Sequence, residues 1–126
     1  MHKSKLGGFI IDCETDDLKG AAGFWSRALG ALARPQANPA DAAYVALGMR
    51  ADEPYVEVQK VTHPSRVHLD IESDDVEREV ARLETLGAKR VATIRDWCVM
   101  EAPTGQRFCV VPAQSVDFEE KAREWP

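Results

Sequence analysis

Asp12-Cys13-Glu14-Thr15-Asp16-Asp17-Leu18 reappears as Asp70-Ile71-Glu72-Ser73-Asp74-Asp75-Val76, at an offset of 70 − 12 = 58 residues. Four of the seven positions are identical, and Thr15/Ser73 and Leu18/Val76 are conservative pairs. Ile10-Ile11 precedes the first copy where His68-Leu69 precedes the second. Each copy leads into a helix-patterned stretch that closes on Leu-Gly-Ala, at Leu29-Gly30-Ala31 and Leu86-Gly87-Ala88. An ordered internal match of this kind marks a duplicated supersecondary unit. The chain therefore divides into module one (about 6–62), module two (about 65–112) and a tail (113–126). Each module is too short to be stable alone, so residues 1–126 are expected to form a single domain.

Working outward from the repeat, Phe9-Ile10-Ile11 and Val67-His68-Leu69-Asp70-Ile71 are apolar and β-branched, and each predicts a strand. Alternation sets Val67, Leu69 and Ile71 on one face and His68 and Asp70 on the other. The Thr/Ser-Asp-Asp that follows offers side-chain oxygens to a helix start, so helices are expected from near Asp16 and Asp74. Leu18, Ala22, Trp25 and Leu29 form the apolar stripe of the first helix, and Val76, Val80 and Leu83 that of the second, with Glu77, Arg78, Glu79 and Arg82 off it. Gly30 and Gly87 suit left-handed helix ends.

Short strands then follow in each module. They are Ala43–Leu47 and Tyr55–Gln59 in the first, and Lys89–Thr93, Trp97–Met100 and Phe108–Val111 in the second, with Arg34–Ala42 a loop or irregular edge. Each module is thus strand, helix, then two or three antiparallel strands. The fold class is α+β, with two tandem β-α-β-β-β modules whose curved mixed sheet surrounds one cleft. The tail carries a short helix with Asp117 and Glu120 as a capping box and Phe118, Ala122 and Trp125 on one side.

Composition narrows the function. Sixteen Lys+Arg against 21 Asp+Glu leave a formal net charge of −5, which offers no field for a nucleic-acid backbone. No apolar run reaches membrane-span length, and Met1–Gly8 lacks the pattern of a secretory signal. Three cysteines, Cys13, Cys98 and Cys109, without a CxxC pair, suit a reducing compartment, and a cytoplasmic location is expected. A turn centred on Pro103-Thr104 would set Cys98 directly across from Cys109, as a redox pair or as two small apolar residues.

Ile11-Asp12-Cys13, Phe24-Trp25 with Ala28-Leu29-Gly30, Arg66-Val67-His68-Leu69-Asp70, and Trp97 followed by Pro103-x-Gly105-x-x-Phe108-Cys109-Val110 resemble the vicinal oxygen chelate superfamily. That group includes glyoxalase I, extradiol dioxygenases and bleomycin-resistance proteins, and the likeness is to its bacterial glyoxalase-like domain subgroup. The resemblance implies a divalent metal held by His or Gln on the first strand of each module and Glu on a later strand of each. His68 matches. Ile10, at 68 − 58, cannot ligate, and Cys109 stands where a carboxylate is expected. In module one Glu57 and Gln59 share the face of Tyr55, with the register between them open. The metal-ligand set is incomplete, comprising His68, Glu57 and an unorthodox Cys109; the cofactor is left open, a divalent metal being less expected than either a metal-free pocket or a site completed by other residues.

The resemblance implies recognition of a small organic molecule in the cleft. Lyase or isomerase chemistry would use His68 and Glu57 as catalytic groups, with Asp12, Tyr55, Gln59, Asp70, Trp97 and Cys109 around the ligand. The alternative is a non-catalytic sequestering protein of the bleomycin-resistance type. Exposed sheet edges lead to the expectation of a homodimer, with neither nucleic acid nor membrane as a partner.

Overall fold

Gly8–Val67 forms one unit of the computed structural model, and Met1–Gly7 joins His68–Pro126 in a second; all residues, 1–126, are described. The first unit holds most of β1 (His2–Glu14), then α1 (Leu18–Leu29), β2 (Ala33–Pro35), a single 3-10 turn at Pro39–Asp41, β3 (Tyr44–Leu47) and β4 (Tyr55–Val61). Its strand order is β2-β3-β4-β1. The β4–β1 pair is parallel, with Ile10 opposite Glu57 and Asp12 opposite Gln59. The other two pairs are antiparallel. Ala22 of α1 packs with Ile11, Val45, Leu47, Val56 and Val58, one alternating face of each strand, to form the core.

The second unit repeats that plan. It contains β5 (Arg66–Ser73, from His68 on), α2 (Val76–Thr85), β6 (Lys89–Ile94), β7 (Trp97–Glu101), β8 (Arg107–Pro112), α3 (Phe118–Lys121) and β9 (Arg123–Trp125). Its order is β5-β8-β7-β6, again with a parallel first pair and antiparallel neighbours. Val80 and Leu83 of α2 pack on Cys98, Met100 and Val110. The chain is therefore α+β with mixed strand pairing, as the repeat predicts. No helix is long and apolar enough to cross a membrane.

The repeated Thr/Ser-Asp-Asp performs one task twice. Thr15 and Ser73 hydroxyls accept from the N–H of Asp17 and Asp75. Those aspartates in turn cap α1 and α2 by accepting from Gly20 and Arg78 N–H, so the helices begin at Leu18 and Val76, two residues beyond Asp16 and Asp74. Gly30 and Gly87 both have positive φ just beyond their helices, as expected.

Several local expectations are corrected. Leu29 is largely exposed, and the stripe of α1 rests on Ala22 with half-buried Leu18 and Trp25. Glu79 is fully buried despite lying off the stripe of α2. The first strand starts at His2, which is itself buried, because β9 pairs with residues 2–4. Arg34–Ala42 includes a true edge strand, β2, before the 3-10 turn. In the tail, Asp117 makes no cap bond, since Lys121 (3.1 Å) and Lys5 (3.5 Å) hold its carboxylate. Trp125 lies in β9 rather than on a helix.

The β7–β8 hairpin also departs from expectation. Ala102 N–H donates to Gln106 O, and the loop is Pro103-Thr104-Gly105 with Gly105 at φ +94°. One extra loop residue shifts the register, so Cys98 lies opposite Val110 and Cys109 opposite Val99. A one-residue shift reverses faces: Cys98 joins the core under α2 while Cys109 points the other way, and the two thiols do not face each other.

Candidate functional site

Strand alternation in β5 sends Ile71 toward α2 and leaves His68, Asp70 and Glu72 on the opposite face. Parallel pairing sets Cys109 of β8 beside Asp70. One ligand atom from each of His68, Asp70 and Cys109 lies within 4.8 Å of the others. Asp70 and Cys109 are buried, and the His68 side chain is 12% exposed. His68 Nε2 stands 3.7 Å from Asp70 Oδ1, a distance for charge attraction rather than a direct hydrogen bond. An imidazole, a carboxylate and a thiol thus share one sheet face, away from the core. The alternation of Val67-His68-Leu69-Asp70-Ile71 foretold the first two. Only the register of β8 brought in the third.

The same face carries Trp97, another of the expected site residues. Val99 lies opposite Cys109, and Trp97, two residues earlier, occupies the same side of β7 with the Arg95 guanidinium 5.5 Å from its ring centroid. Arg107 of β8 pairs with Glu101 of β7 at 3.2 Å. Glu72 is fully buried, with Oε2 accepting from Gln114 and Ser115 N–H and Oε1 3.7 Å from Lys5 Nζ. It fastens the tail. Glu72 continues the two-residue period of His68 and Asp70, the one signal in the sequence that places it on this face.

In the first unit the corresponding face bears Ile10 and Asp12 of β1, Tyr55, Glu57 and Gln59 of β4, and Tyr44 of β3. Gln59 lies opposite Asp12 as Cys109 lies opposite Asp70, so pairing makes Gln59, not Glu57, the counterpart of Cys109. Gln59 Nε2 donates to the Tyr44 hydroxyl at 2.9 Å. The Asp12 carboxylate is buried, with Arg66 at 3.7 Å and His63 at 3.8 Å. Tyr55 covers Gly8 so closely that a Cβ there would fall 2.5 Å from its ring.

The cysteines differ in surroundings. Burial pushes the Cys98 thiol above its ordinary pKa. Burial, followed by the charge of Asp12, does the same to Cys13. Cys109 alone stands in a group with an imidazole and a carboxylate.

The four-ligand metal set implied by the family resemblance does not fit this chain. Ile10, 3% exposed and without a donor atom, fills one position, and a thiol replaces a carboxylate at Cys109. The donors that do gather are the nitrogen of His68, the oxygen of Asp70 and the sulfur of Cys109, with Asp70 as their carboxylate. Glu57 belongs to β4 of the other unit.

Comparison with known proteins agrees with this architecture. A profile of the glyoxalase-like domain matches residues 8–111. No curated protein matches the chain by sequence. Among solved structures, methylmalonyl-CoA epimerase in complex with methylmalonyl-CoA and ammonium superposes with a TM-score of 0.65 at 13% identity, covering 90% of this chain and 97% of that one. The Mycobacterium tuberculosis methylmalonyl-CoA epimerase gives 0.65 at 14% identity, over 86% and 87% of the two chains. The Streptomyces coelicolor enzyme in complex with 2-nitronate-propionyl-CoA gives 0.63 at 14% identity, over 89% and 96%. At these identities the likeness is one of fold.

Proposed function

Because the chain belongs to the glyoxalase-like domain family, we propose that it binds a small carbonyl compound and isomerises it by proton transfer, with His68 as the base. The observation that carries this reading is the gathering of His68, Asp70 and Cys109 within 4.8 Å on one sheet face. A C–H bond next to a carbonyl is weakly acidic, and a neutral imidazole near neutral pH takes such a proton when held against it. The Asp70 carboxylate, 3.7 Å from Nε2, stabilises the imidazolium formed on transfer. Trp97 offers an aromatic surface for the ligand. The fold is shared with proteins named as methylmalonyl-CoA epimerases, and an isomerase reading is in keeping with that. No step passes through a metal.

Carbonyl acids and thioesters incubated with the protein in deuterated water test this reading. Exchange of the carbon-bound proton is expected with the wild type and should fall by about 100-fold or more in His68→Ala. Glu57→Gln, assayed alongside, tests whether the Glu57 carboxylate shares the proton transfer with His68. Saturable binding without exchange of any compound would overturn catalysis and leave the sequestering role. That role has Ile10 in its favour, an apolar residue at the repeat position of His68.

A further inference from the structure

We infer that Cys109 is a nucleophile which, with His68 as its base, adds reversibly to carbonyl compounds bearing a conjugated double bond. The inference rests on the reading above, that the His68 face binds a small carbonyl compound, and adds a covalent step to it. Nucleophilic side chains are activated by a neighbouring base that a third group orients. In the second unit those roles fall on Cys109, His68 and Asp70, whose polar atoms lie within 4.8 Å of one another. The arrangement follows from strand geometry: His68 and Asp70 are two residues apart on β5, and pairing brings Cys109 of β8 alongside.

Two further observations single out this thiol. The register of the β7–β8 hairpin buries Cys98 beneath α2, and Cys13 packs against the core of the first unit. Burial raises both above the ordinary thiol pKa, whereas Cys109, also buried, has the His68 imidazole within 4.8 Å to take its proton. Beside Cys109, Val99 lies directly opposite and Trp97 follows on the same face, a surface suited to a planar unsaturated carbonyl.

The step balances without a co-reactant. His68 takes the Sγ proton, sulfur bonds to the β-carbon, and the double-bond electrons move to the α-carbon. His68 then returns the proton to that carbon. Nothing leaves, and nothing is oxidised or reduced. Asp70 is a positioning residue, acting through the imidazole.

The test uses the full chain treated with chelator and probed with 2-cyclohexenone, the adduct being located by intact mass and peptide mapping. One adduct on Cys109 is expected, with Cys13 and Cys98 unmodified in the folded protein. His68→Ala should slow its formation by about 100-fold, and added imidazole should restore part of the rate. Asp70→Asn should slow it too, with Asp70→Glu recovering activity. Cys109→Ser should form no adduct. Equal labelling of Cys13 or Cys98 would overturn the inference, as would an unchanged rate in His68→Ala. So would stoichiometric zinc that blocks Cys109 until chelation. If cyclohexanone binds but Cys109 gains no adduct, the covalent step alone fails. If neither ketone binds, the reading of the face as a carbonyl site fails with it.

Discussion

His2 is 5% exposed, and its Nε2 stands 2.8 Å from Oε1 of Glu79. Glu79 also accepts from Nε and a terminal nitrogen of Arg82, at 2.9 and 2.8 Å. The Arg82 guanidinium lies 3.8 Å over the ring of Trp125, whose indole N–H donates to Ser4 Oγ at 2.8 Å. Burial alone would raise the Glu79 carboxyl, but the hydrogen bonds from Arg82, His2 and Ser4 bring it below the ordinary 4.5. Its folded value is depressed, so the stability it contributes is present above about pH 4.5 and is lost as pH falls through the lower folded value. Glu79→Gln should therefore cost about 2 kcal/mol or more at neutral pH in urea unfolding, and flatten the acid limb of a stability–pH curve. The helical pattern placed Glu79 off the core stripe because periodicity registers one packing partner. The second partner, β1 with β9, comes from the two chain ends.

Among the elements, the helix starts were the most legible part of the fold. The oxygen of Thr15 or Ser73 and the carboxylate of Asp17 or Asp75 act through bonds spanning two or three residues, and such contacts can be read from spacing. Asp17→Ala and Asp75→Ala should each cost about 1 kcal/mol in thermal unfolding. Ser73→Ala should cost more than Thr15→Ala, because the Ser73 hydroxyl also donates to Lys3 O at 2.9 Å. Strand register was less legible. Whether Pro103-Thr104 or Pro103-Thr104-Gly105 made the loop decided which way Cys109 points, and Gly105 at positive φ settled it. The site followed the same division. His68 and Asp70 were readable by alternation, whereas the thiol joined them through pairing between strands about 40 residues apart.

Across the whole molecule, the tail turns equivalent positions of the repeat into different ones. Glu14 and Glu72 match in the repeat, yet Glu14 is exposed and Glu72 fully buried. Gln114 and Ser115 donate their N–H groups to Glu72, and Lys5 lies between Glu72 and Asp117. Removal of residues 113–126 should leave a buried carboxylate short of partners and destabilise the chain by about 3 kcal/mol or more in urea unfolding. Trp125→Ala, which removes only the stacked indole, should cost less than the deletion, about 2 kcal/mol.

By itself the sequence determined the duplicated α+β plan, the caps of both helices, and the faces of His68 and Asp70, because all of these follow from interactions within a few residues or from strict periodicity. Tertiary structure alone decided that Cys109 joins that pair, that Gln59 is its counterpart in the other unit, and that His2, Glu72 and Glu79 are buried. Those outcomes depend on register and on which distant segment covers a face. A difference of one loop residue, or a strand returning from the far end of the chain, changes them without altering any local pattern.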